Sequence, residues 1–139
     1  MADNEYKIFI FLFLGKPSKP KGPLKVSDVT AEGCKLKWEK PEDDGGEPVD
    51  HYVVERMDTE TGRWVPVTTS KTPEADVSGL NEGKEYQFRV KAVNAEGESE
   101  PLETDIPTVA KNPYGEFFLT NFFSDALIER ENSRYNIYR

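Results

Sequence analysis

From Leu24 to Ile106, apolar side chains recur at alternate positions in short bursts separated by turn residues. Leu24, Val26 and Val29 open the series. Cys34, Leu36 and Trp38 follow on one face, with Lys35, Lys37 and Glu39 on the other. Residues 51–56 place Tyr52 and Val54 inward. Trp64, Val65 and Val67 come after a turn through Asp58-Thr59-Glu60-Thr61-Gly62, and Ala75 and Val77 mark the next burst. Tyr86, Phe88, Val90 and Ala92 then alternate with Gln87, Arg89 and Lys91, and Leu102, Thr104 and Ile106 close the series. A period of two marks a half-buried strand, because successive side chains of a strand point to opposite faces. Seven such segments at short intervals predict an all-β fold, a seven-stranded antiparallel sandwich. No helical period competes within residues 24–107.

The connections are as informative as the strands. Pro41-Glu42-Asp43-Asp44-Gly45-Gly46 separates the Trp38 segment from Tyr52-Val53-Val54-Glu55. Proline removes a ladder donor and the glycines permit positive φ, so the chain leaves one strand and turns before the next. Downstream, Gly79-Leu80 precedes the segment that starts at Tyr86. Asn94-Ala95-Glu96-Gly97-Glu98-Ser99-Glu100-Pro101 leads into the last strand, and residues 108–114 read Thr-Val-Ala-Lys-Asn-Pro-Tyr. As a set, these motifs resemble a fibronectin type III module of the giant muscle proteins of the titin, twitchin and projectin family. The resemblance covers about residues 17–114. It implies that Trp38 is the core tryptophan of the second strand. Leu80 and Tyr86 then form the corner before the sixth strand, with the phenol inside and its hydroxyl bonded back to nearby backbone. Tyr52 and Phe88 join Trp38, Leu80 and Tyr86 as core or corner residues with structural roles. Trp38 is expected to be buried and Trp64 more exposed.

On this reading residues 1–15 form a non-module flank, 16–114 the module with its linkers, and 115–139 a non-module tail. Residues 16–23, rich in proline and lysine, read as an extended linker unable to join a central sheet. Residues 108–114 resemble the linker to a following module. Residues 8–14 are seven consecutive apolar residues, whereas a membrane span needs about 20. Asp3 and Glu5 ahead of them, and Gly15-Lys16-Pro17 after them, argue against a signal peptide. Leu119, Phe122, Phe123, Ala126 and Leu127 are spaced for one face of a short helix. Both flanks are expected to be dispensable for folding, although the apolar run has the composition of a self-associating segment.

Charge narrows the partners. The chain of 139 residues carries a formal net charge of −8. Residues 16–113 hold 14 Lys and Arg against 20 Asp and Glu, which leaves −6 on the module. A nucleic-acid partner calls for a basic stripe, so none is expected. The single cysteine, Cys34, excludes an internal disulfide, and the chain has no Asn-X-Ser/Thr sequon. Both favour a reducing compartment. Cys34 alternates with Leu36 and Trp38 and reads as a small buried hydrophobe.

Reactive chemistry has little to work with. His51 is the only histidine, so paired-histidine metal sites lack a second member. The acidic residues from Glu42 to Asp50 do not match a calcium-loop spacing, and their pairs lie in loops where nothing raises a carboxyl pKa. No metal, cofactor or catalytic residue is expected. The resemblance implies a non-catalytic, monomeric module. It would act as a spacer and myosin-contacting surface of a thick-filament protein, flanked by immunoglobulin and fibronectin modules, in the cytoplasm at the sarcomere's A band. A module of a cell-surface receptor or adhesion protein is the alternative. The chain contains no Arg-Gly-Asp.

Overall fold

The computed structural model describes residues 14–113. The start of the apolar run, residues 8–13, and the expected helical face from Leu119 to Leu127 lie outside the described residues. Two antiparallel sheets face each other. The first contains β1 (Lys21–Ser27), β2 (Cys34–Glu39) and β5 (Glu74–Val77), in the order β1-β2-β5. The second is built on β3 (His51–Asp58), β4 (Trp64–Ser70) and β6 (Glu85–Asn94). There β4 pairs with β3 and β3 with β6, and β6 also takes up three two-residue segments: β7 (Gly97–Glu98), β8 (Leu102–Glu103) and β9 (Thr108–Val109). This is an all-β sandwich. The first six strands lie where alternation places them, whereas the expected seventh is reduced to β8, with β7 in the expected loop before it and β9 in the expected linker after it. Among the described residues no helix is long and apolar enough to cross a membrane.

Alternation builds the core. Leu24, Leu36 and Val77 project from the first sheet onto Val54, Phe88 and Val90 of the second, and all six are buried. Trp38 meets Tyr52 across the interlayer edge to face, with ring centroids 5.3 Å apart and planes at 69°. Such an aromatic pair adds directional attraction to the area it buries.

Four expectations change at the strand ends. Val29 packs on the core but lies beyond β1, because Asp28 at φ 50° turns the chain after Ser27. The segment read as a free linker is part of the fold. Residues 21–23 belong to β1, Lys21 pairs with Glu39, and Pro17 and Pro20 are buried. The expected outgoing linker is also partly structural. Residues 108 and 109 form β9, and Ala110 is fully buried and bonded through its N–H to Lys84 O at 2.9 Å.

The last strand is the fourth change. Glu103 pairs with Arg89 and Thr108 with Tyr86, so five steps along this strand match three along β6. The two surplus residues bulge outward, which leaves Ile106 74% exposed instead of buried. Pro101 and Pro107 cannot donate to the ladder. Hydroxyls splice it instead. Thr104 N–H donates to Phe88 O at 2.9 Å, and Phe88 N–H donates to Thr104 Oγ1 at 3.2 Å. Ser99 N–H and Oγ do the same for Ala92, at 2.8 and 2.9 Å.

The corner before β6 closes on Tyr86. Asn81 N–H donates to the Tyr86 hydroxyl at 3.0 Å, and the Arg56 guanidinium lies 5.4 Å from the centre of the Tyr86 ring. Arg56 Nη1 also donates to Gly79 O at 2.8 Å. Tyr86→Phe removes the acceptor and strands the Asn81 N–H. We expect a loss of about 1 kcal/mol, the usual effect of one such bond, seen as a lower urea midpoint at unchanged slope. An unchanged midpoint would count against a structural role for this corner.

Candidate interaction surface

Among the described residues no group of three or more His, Cys, Asp and Glu side chains is placed to hold a metal. Asp43 and Asp44 each use one carboxylate oxygen to accept a turn N–H, from Gly45 and Gly46, at 2.8 Å in both cases. His51 Nδ1 lies 2.8 Å from Asp50 Oδ2, and this hydrogen bond holds the Asp50 carboxyl below its ordinary range. Cys34 is buried, and burial pushes its thiol up to about 11, which keeps it un-ionised and unreactive near neutrality. A cleft of about 480 Å³ beside the 40–44 loop is walled by Pro41, Asp44, Val49, Tyr52 and Lys71. Its charged lining is carboxylates and lysines, and the Asp43 and Asp44 carboxylates in it are engaged with turn N–H groups.

The five residues singled out in the sequence all lie in the interior. Trp38, Tyr52, Leu80, Tyr86 and Phe88 are 6% exposed or less. They form no common site. Trp38 and Tyr52 pair across the sheets, Tyr86 and Phe88 stack at 6.4 Å, and Leu80 lies at the corner. None is available to a partner.

The outer face of the β4-β3-β6 sheet carries a charged cluster whose side chains are largely covered by one another. Glu55 of β3 stands opposite Arg89 of β6 and Pro66 of β4. Arg89 Nε donates to Glu55 Oε1 at 2.8 Å, and Lys91 Nζ lies 3.2 Å from the same oxygen. Lys91 also reaches Glu98 at 3.5 Å. The Arg89 guanidinium stands 4.3 Å above the Trp64 ring, so it is shared between a carboxylate and an indole face. Trp64 is half-buried beneath it, and Met57 is its cross-strand neighbour. The result is a semi-rigid patch, with fixed charges at its centre and an aromatic and apolar flank. A protein surface can dock on such a patch without ordering long side chains.

Sequence reading placed Arg89 and Lys91 outward but missed Glu55 and the stack on Trp64. Those pairings depend on cross-strand register, which alternation leaves open. Asn94 carried a legible signal that went unused. It shares the inward parity of Tyr86, Phe88, Val90 and Ala92, and a polar residue on that row needs partners.

The family profile described as Fibronectin type III domain matches residues 18–105, more than half of the chain. The chain belongs to the fibronectin type III family. Titin of Drosophila melanogaster is 35% identical over 100 residues, 70% of this chain and a share of titin that rounds to 0%. Cardiac-type myosin-binding protein C of Mus musculus is 36% identical over 102 residues, 72% of this chain and 8% of that protein. Among solved structures, titin kinase with its flanking domains is 37% identical, with a TM-score of 0.64 over 70% of this chain and 18% of that one. The twitchin kinase region from C. elegans is 32% identical, with a TM-score of 0.66 over 70% and 17%. This fibronectin type III chain therefore spans a small part of each relative and is a single module similar to those of titin-like muscle proteins. The kinases in those two structures belong to other parts of longer chains.

Burial alone would push the Glu55 carboxyl up, but hydrogen bonds from Arg89 and Lys91, reinforced by their charge, outweigh it and hold the pKa below the ordinary glutamate value. A carboxyl with a lowered folded-state pKa stabilises the fold in its ionised form. That contribution is complete above the unfolded value, about 4.3, and is lost as pH falls through the folded one. Glu55→Gln should thus be less stable than the native chain at about pH 7, with the gap closing towards about pH 3. Urea titrations at several pH values measure this, and a gap independent of pH would contradict it.

Proposed function

We propose that this fibronectin type III module is a non-catalytic spacer and protein-binding unit of a titin-like muscle protein. Its partner is myosin of the thick filament, and its place is the sarcomere's A band. The observation that carries this reading is the alignment of one stretch of the chain, at similar identity, with both titin and a protein named for binding myosin. The geometry is consistent with it. Among the described residues four of the five large aromatic side chains are buried, and the fifth, Trp64, is half-buried toward the outer face beside the largely covered Glu55–Arg89–Lys91 cluster.

The unit given this role is the 16–114 module together with the two residues before it. Immunoglobulin and fibronectin modules would be its neighbours along the chain. It acts as a monomer and needs neither nucleic acid, membrane nor cofactor. Its edges suit a monomer: Pro23 interrupts β1, Pro66 interrupts β4, and Glu74 and Asp76 charge β5.

An acidic module meeting basic patches on a filament gives a weak, screened attraction. Cosedimentation of the chain with myosin filaments should show weak binding that declines as salt rises. Trp64→Ala should weaken it further, and tandem copies should bind far more tightly than one through effective concentration. Tight binding indifferent to salt, or none in tandem copies, would contradict the proposal.

A further inference from the structure

The end of the sandwich where β6 runs into β7 holds the incoming chain by its backbone. The Asn94 carboxamide is buried, and its Nδ2 donates to Gly15 O at 2.8 Å, to Asp44 O at 2.8 Å and to Glu47 O at 3.4 Å. Its Oδ1 accepts from Glu96 N–H at 2.8 Å and Gly97 N–H at 3.2 Å. One side chain therefore joins the incoming segment, the 43–47 loop and the turn after β6. Gly15 N–H returns a bond to Gly45 O at 2.9 Å. A second staple follows, in which Ser18 N–H donates to Asp43 O at 2.8 Å and Asp43 N–H donates to Ser18 Oγ at 3.1 Å.

Three glycines make room for this contact. Gly45 and Gly46 lie at φ 79° and 90°, where side chains are strained. A methyl at Gly45 would also overlap the Gly15 carbonyl, and one at Gly46 would stand 2.8 Å from Leu14 Cδ2. A methyl at Gly97 would stand 3.1 Å from Lys16 Cε. The reverse is not true. A Cβ added at Gly15 would meet nothing within 4 Å. At Gly45 the neighbour is backbone and glycine is demanded, at Gly46 and Gly97 it is the end of a flexible side chain, and position 15 itself needs only a peptide backbone.

We infer that Asn94 and Gly45 form a latch that binds the backbone of Gly15 and fixes the point at which the incoming chain meets the module. The latch deepens the spacer reading, on which its use in an array rests. Its existence is tested separately from any binding to myosin. A latched junction transmits orientation between units, whereas a free linker lets each module swivel.

Amide hydrogen exchange by NMR on the full 139-residue chain tests this. In the native chain the Gly15 and Ser18 amides should exchange at least about tenfold more slowly than in an unstructured peptide. Gly45→Ala should release Gly15 to the unstructured rate, while Ser18, held by Asp43, stays protected. Gly15→Ala should leave protection at position 15 in place. Gly62→Ala is the control for strain alone, because Gly62 has φ 71° and open space around it; it should leave Gly15 protected. Asn94→Asp removes the donor but keeps the acceptor, and should release Gly15 while the β6 amides stay slow. Unprotected Gly15 in the native chain overturns the inference, whether or not any variant folds. So does Gly15 that stays protected in Gly45→Ala, or Gly15 released equally by Gly62→Ala.

Discussion

Strand β6 is the member on which the sandwich depends. It pairs with β3 over eight residues and receives β7, β8 and β9 on its other side, so most of the second sheet hangs from it. Its inward row runs Tyr86, Phe88, Val90, Ala92, Asn94 without a break in alternation. Three members are apolar and fill the interlayer. The row begins and ends with a polar-tipped side chain, and each is spent on a loop: the Tyr86 hydroxyl on the corner before the strand, the Asn94 carboxamide on the turns beyond it. A buried polar group costs free energy unless its bonds are made. Both ends of the row therefore specify loop conformation as well as packing.

The outward row of the same strand handles charge. Glu55 would be costly to bury alone, and it is accepted because Arg89 and Lys91 converge on it. Replacing such a cluster by apolar residues is often neutral for stability, so stability alone does not account for it. Its effect here is to hold Arg89 flat against Trp64 and to keep two cations in place on a solvent-facing sheet. The side chains of this face are thereby ordered by one another, and ordered side chains lose little entropy in any contact they make.

How far the chain could be read without its structure follows from the same two rows. The strands were legible because period-two alternation fixes which side chains face inward, and Leu36, Val54, Phe88 and Val90 are buried as their parity requires. The last strand was not legible in detail. Thr104 keeps its inward place, but Asp105 and Ile106 are surplus to the ladder, and a bulge leaves no mark on an alternating pattern. The incoming end reads as a linker from its proline and lysine content, and the outgoing end from resemblance. Proline forbids donation to a ladder but not burial, and Pro17 and Pro20 are both buried. The surface cluster was hidden for a different reason. Glu55 meets Arg89 only through the β3–β6 register, which depends on long-range pairing and not on local spacing.

Where the chain enters and leaves gives these features a common consequence. The incoming segment is bonded at Asn94, the last residue of β6, and the outgoing segment is bonded through Ala110 to Lys84, one residue before its start. The two attachments are thus separated by the length of one strand, about 30 Å at roughly 3.3 Å per residue. A strand paired on both sides can neither stretch nor shorten without breaking its ladders. The distance between the two attachments is then set by the number of residues in β6, and loop conformation has little influence on it. That fixed distance arises because the strand that carries the core also ends at both attachments.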